Sequence, residues 1–216
     1  MTVYLFPSIT PSSSTVELVT NTRSFQSPLT NAIQTVGRKG SLWKISMVFN
    51  NLKDADRATM KAFLSKLNGQ EHRMYLSDHS AQRRGSASTG DTLLVNGAGQ
   101  TGPILVADGA SASVSNYFRA GDYISFNNEL HVVTEDTDST ASGTFQFAKP
   151  NNDLTTTTTA GIPIAPPIRK PTNNNDAIDY LLPIYGVFML ASASSWDTRP
   201  GLVSNFKIEV IEDVLA

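Results

Sequence analysis

The sequence predicts a mainly β protein, and three observations carry that prediction. Ser, Thr and Asn occupy many polar positions that Lys and Glu fill in helical proteins, and only 17% of the 216 residues are charged. Thr favours strands, while Ser and Asn favour turns. Several short runs alternate apolar with polar residues, the mark of half-buried strands. A single segment carries an apolar stripe at helical spacing.

The elements follow in chain order. Residues 15–19 read as a short strand. Residues 41–49 are clearer: Trp43, Ile45, Met47 and Phe49 fall on one face, Lys44 and Ser46 on the other. Gly37 and Gly40 suggest a turn from a preceding strand at 32–36, giving a hairpin over 32–49. Asn51 is the expected N-cap of the helix, with Asp54 three residues later. Leu52, Ala55, Met60, Phe63, Leu64 and Leu67 make its apolar stripe, and Asn68-Gly69 its stop. His72, Met74 and Leu76 then alternate with Arg73 and Tyr75 in a strand at 71–76. Strand, helix, strand is the opening of a parallel sheet, but nothing repeats it downstream, which argues against a doubly wound fold.

The texture changes after Asp78. A polar stretch holding Arg83-Arg84-Gly85 leads into short strands at Leu93–Val95, Ile104–Ala107, Asp122–Phe126, Glu129–Thr134 and Thr144–Phe147. Asn127-Asn128 reads as a tight hairpin turn, because Asn tolerates the left-handed region. Closely spaced short strands suggest a small barrel or sandwich. Residues 151–176, rich in Thr, Pro and Asn, read as a linker. Strands at Ile184–Leu190 and Val203–Val210 close the chain; the first is apolar on both faces, as a central or interface strand is. A two-stranded unit is marginal alone. The final strands are therefore expected to pack on residues 1–78. This makes three segments: 1–78 and 177–216 as one split domain, with 79–176 inserted.

Composition excludes several function classes. The formal net charge of −2 carries no electrostatic footprint for nucleic acid. With no cysteine, disulfides, thiolate metal sites and cysteine nucleophiles are absent. The N-terminus is not expected to be a secretory signal. The apolar run from Tyr180 to Ala193 is broken by Pro183 and too short for a membrane anchor.

No motif makes a convincing site. Gly97-Ala-Gly99-Gln-Thr-Gly102 matches the dinucleotide fingerprint, but Pro103-Ile-Leu follows where a helix must open, so a turn is expected and no cofactor. Glu135, Asp136 and Asp138 lack the glycine and glutamate of a calcium loop. His72, His79 and His131 are too scattered for a zinc site, so no metal is expected. Ser77, Asp78, His79 and Ser80 are too close in sequence for a relay, and no catalytic residues are assigned. Arg38-Lys39 and Arg83-Arg84 read as solvated loop charges. Trp43 is in register with a core face; Trp196 is expected in a loop.

Several phrases resemble the distal tail (Dit-like) proteins of long-tailed, siphovirus-type bacteriophages. They are Thr22-Arg-Ser-Phe-Gln-Ser-Pro-Leu29, Leu42-Trp-Lys-Ile-Ser-Met-Val-Phe-Asn-Asn-Leu52 with its helix, and Arg73-Met-Tyr-Leu-Ser-Asp78. Leu94-Val-Asn-Gly-Ala-Gly-Gln-Thr-Gly102, Ala120-Gly-Asp-Tyr-Ile124 and Phe206-Lys-Ile-Glu-Val-Ile-Glu212 complete the set. The resemblance implies a belt domain with a β-sandwich, one helix and a hairpin, carrying an inserted OB-like barrel. It implies a non-enzymatic virion protein, made in the host cytoplasm. That protein forms a ring, a hexamer in the family, between tail-tube and hub proteins at the tail tip.

Ring closure needs a heterologous interface. The hairpin over 32–49 and the strand at 184–190 are the expected region, with Trp43, Ile184, Val187 and Met189 as interface residues. An alternative reading makes the insertion a carbohydrate-binding module for host glycans, with Tyr117, Phe118, Tyr123 and Trp196 as contacts.

Overall fold

The structure, a computed structural model, describes residues 1–37, 40–150, 156–192, 194–199 and 203–213. Arg38-Lys39 and residues 151–155 of the expected linker lie outside them. The protein is mainly β, with one helix among the described residues.

The largest sheet gathers strands from both ends of the chain. Its members are β1 (Val3–Leu5), β2 (Ser13–Val19), β5 (Leu42–Leu52), β6 (Arg73–Leu76), β16 (Gly186–Leu190), β17 (Ser195–Arg199) and β18 (Val203–Glu212). The order is β1-β6-β16-β18-β5-β2, and β17 also pairs with β18. β5 and β6 flank the helix in sequence, yet β16 and β18 lie between them. The parallel pairing therefore links β6 to β1, not to β5.

Alternation builds the inner face of this sheet. Ile45, Met47 and Phe49 sit opposite Val210, Ile208 and Phe206, and all six are buried. Helix α1 (Asp54–Leu67) lays Met60, Phe63, Leu64 and Leu67 into the same cluster. Full burial of such a side chain contributes about 1.5–3 kcal/mol. The helix starts later than its expected cap. Asn51 remains in β5 at φ 57°, because β5 keeps pairing with β18 as far as Leu52. Lys53 takes the N-cap position without a side-chain bond, and Ala55 is exposed. The stop is as expected: Asn68 is left-handed, φ 48°, and its N–H bonds the Ser65 carbonyl.

The expected hairpin over 32–49 does not form. Strand β4 (Ile33–Gly37) pairs with β3 (Thr22–Gln26), from Thr22 opposite Gly37 to Gln26 opposite Ile33. The two make a separate two-stranded sheet.

The middle of the chain forms further sheets rather than a closed barrel among the described residues. β10 (Tyr123–Phe126), β11 (Glu129–Val133), β15 (Ile162–Ile168) and β8 (Gly102–Leu105) make one. β12 (Thr137–Ser139), β13 (Phe145–Pro150) and β14 (Thr156–Ala160) make another. β7 (Leu94–Val95) pairs with β9 (Ala107–Asp108). Asn127 and Asn128, at φ 52° and 66°, turn the β10–β11 hairpin as expected.

The linker expectation fails over 156–168. β15 is an interior strand despite Pro163, Pro166 and Pro167, because its register breaks between Pro163 and Ile168 where ladder donors are missing. Its isoleucines 162, 164 and 168 are buried in the second apolar cluster.

Candidate protein–protein interface

The β3–β4 hairpin stands apart from the core. Every residue of both strands is exposed, and neither strand pairs with another sheet. Phe25 is 55% exposed, Ile33 67% and Leu29, in the connecting turn, 94%. Val36 is exposed too. Register puts Phe25 and Val36 on one face and Ile33 on the other. Apolar groups thus face water on both sides and at the tip. The turn is held by Asn31 N–H to the Ser27 carbonyl and Ser27 N–H to the Ala32 carbonyl, both 2.9 Å. An isolated two-stranded hairpin is marginal in water, which makes this segment a candidate contact surface.

Ile33 and Val36 fall within the region 32–49 expected from the sequence, whereas Phe25 and Leu29 precede it, and the four expected interface residues lie elsewhere. Ile184 and Val187 are buried within the chain, and Met189 is half-buried beside Ile211 in the sheet. Trp43 is buried, and its indole N–H donates to the Leu130 carbonyl at 2.8 Å. None of Trp43, Ile184 or Val187 offers a surface to a second molecule. Ile184 and Val187 belong to a run that is apolar on both faces because the chain itself covers both, and Trp43 is covered by β11.

Trp43 marks an internal joint. Leu130 of β11 packs in the cluster of the large sheet, with Tyr123 and Val132 against it. Around that contact lies a buried ionic network. Glu212 accepts the N–H groups of Trp43 and Leu130, at 3.1 and 2.9 Å. The guanidinium of Arg169 also donates to the Ser41 carbonyl, at 2.6 Å. Glu129 accepts the backbone N–H groups of Arg169 and Lys170. His131 donates from Nδ1 to the Pro166 carbonyl at 2.8 Å, stacks on Phe126, and sets Nε2 3.4 Å from Glu129. Burial pushes the Glu129 carboxyl up, but His131 and Arg169 outweigh it and hold it below the usual carboxylate range. The Arg169 guanidinium is pushed above its ordinary value against the cost of burial, first by Glu212.

The expected glycan contacts are also displaced. Tyr117 and Phe118 are fully buried, edge to face with each other and with Phe145 nearby. Tyr117 donates its hydroxyl to Asp91, and burial and that carboxylate push its pKa up. These rings are core and present no face to a sugar. Tyr123 is half-buried, and its hydroxyl donates to Asp78. Trp196 lies on β17, not in a loop; it is 45% exposed, with Lys61 Nζ 5.8 Å from its ring.

The remaining motifs serve the fold. Gly97, Gly99 and Gly102 all have positive φ and lead into β8, so the fingerprint is a turn. Arg83 donates to the Ala87 carbonyl and Arg84 to that of Ala120, tying down their loop. Asp136 and Asp138 accept the N–H groups of Ala120 and Asn116. His79 is lowered by burial, with Asp78 opposing. Among the described residues no three His, Asp or Glu gather as a metal site, and no helix is long and apolar enough to cross a membrane.

Comparison with protein-family models finds no match to this chain, and comparison with curated proteins finds none.

Proposed function

We propose that this chain is a non-enzymatic structural subunit of a phage tail tip. It forms a ring, a hexamer, that joins the tail tube to the hub. In this reading the large sheet and α1 belong to a belt β-sandwich made from residues 1–78 and 177–216. Residues 79–176 form an OB-like unit carried on it.

One observation supports the reading most strongly. The β3–β4 hairpin leaves the core with Phe25, Leu29, Ile33 and Val36 uncovered. Among the described residues nothing covers them. A heterologous contact, in which each hairpin lies on the next copy, covers them and closes under rotation. The distal tail resemblance of Thr22–Leu29 falls on this same hairpin.

Mixing the purified chain with the tail-tube protein of the same phage tests the assignment. Negative-stain images are expected to show rings capping one end of short tubes. Uncapped tubes and monomers at every concentration would overturn it.

A further inference from the structure

A polar cleft of about 510 Å³ opens where the edge of the large sheet meets the β10–β11 hairpin. That volume is in the range of small-ligand sites. Its floor is set by register. Leu5 of β1 lies opposite Tyr75 of β6, which lies opposite Val187 of β16, so the three share one face. Tyr185, two residues before Val187, joins Leu5 and Tyr75 in lining the cleft.

The walls are fixed as firmly. Asn127 and Asn128 project from the hairpin turn on one side. Asp179 stands on the other, where Ser125 and Asp179 exchange backbone hydrogen bonds of 2.8 Å each. Ile178 and Tyr180 are buried, so the exposed Asp179 faces outward.

The chemistry narrows the ligand. No Lys, Arg or His lines the cleft, and its one charge is the Asp179 carboxylate, which disfavours phosphates and other anions. Neither Asp179, Asn128 nor the hydroxyls of Tyr75 and Tyr185 takes a side-chain hydrogen bond among the described residues, so these groups can serve a ligand. Two phenol rings and Leu5 supply apolar faces. A carboxylate and amides supply acceptors and donors at their rim. Pyranose rings fit both halves of this set, packing C–H faces on aromatics and directing hydroxyls to the rim. We infer that the cleft binds a neutral saccharide, at a site separate from Tyr117 and Phe118. The site lies within one chain and does not depend on how copies assemble.

The test is a printed array of neutral oligosaccharides. Ligand-observed NMR with neutral trisaccharides of glucose and of N-acetylglucosamine follows. At least one saccharide is expected to bind with a Kd in the millimolar range or tighter. Asp179→Asn and Tyr185→Ala are each expected to weaken it tenfold or more. Asp179 is exposed, so its variant keeps the fold even if Tyr185→Ala does not. Binding to none of these sugars, or binding unchanged in Asp179→Asn, would overturn the proposal. Oligomer mass is expected to be the same in both variants, which separates this test from that of the ring.

Discussion

Arg169 holds both carboxylate oxygens of Glu212, with Nη1 2.8 Å from one and Nη2 2.9 Å from the other. The fork spans the joint between β15 and the end of β18. Because both groups are almost wholly covered, the pair acts in a low-dielectric setting. The middle of the chain is therefore clamped onto the large sheet, not tethered to it.

Removing one member is expected to cost far more than a surface ion pair does. Arg169→Met takes the guanidinium from buried Glu212 and leaves Glu129 with His131 alone as its side-chain partner, a loss of about 3–5 kcal/mol. Urea denaturation measures it. Arg169→Lys is expected to fall short of full rescue, because an ammonium cannot reproduce the two-pronged contact. Wild-type stability in Arg169→Met would contradict the clamp.

The same network sets an acid limit. The native Glu129 carboxyl lies below its ordinary value, since His131 and Arg169 together outweigh burial. A depressed carboxylate adds stability above the ordinary Glu pKa of about 4.3 and loses it as pH falls through the native value. Thermal midpoints are expected to hold from neutral pH down to about 4.5 and then drop. Glu129→Gln should flatten part of that drop while lowering the neutral-pH midpoint.

The two tryptophans give separate optical handles. Trp43 is buried against Leu130, and Trp196 is nearly half exposed on β17. Trp196→Phe is expected to leave a blue-shifted emission that acrylamide quenches poorly. Trp43→Phe is expected to leave red-shifted, easily quenched emission and to lose about 1 kcal/mol with the indole hydrogen bond. Equal quenching in the two variants would contradict the placement.

What was legible in the sequence follows from where water is. β5 and β18 each have one wet and one dry face, so alternation marks them, and α1 shows its stripe for the same reason. The β3–β4 hairpin has no dry face within this chain. Its apolar residues fall on both sides and give no period. Leu29 in a turn was the available signal. β15 was masked by prolines that normally exclude an interior strand; a register break accommodates them. Tyr117 and Phe118 sit among polar neighbours, so their burial depends on distant partners such as Phe145 and Asp91. Arg169 and Glu212 are far apart in sequence, and no local pattern joins them.

If copies join through the β3–β4 hairpin, the mass of the assembly depends on its apolar side chains. Light scattering coupled to size exclusion compares the wild type with the triple variant Phe25→Ser, Leu29→Ser, Ile33→Ser. These side chains pack on no core of their own chain, so the variant is expected to unfold within about 0.5 kcal/mol of wild type. A closed multimer is expected for the wild type and a monomer for the variant. A wild type that stays monomeric at high concentration, or a variant that assembles as the wild type does, would contradict assembly through the hairpin.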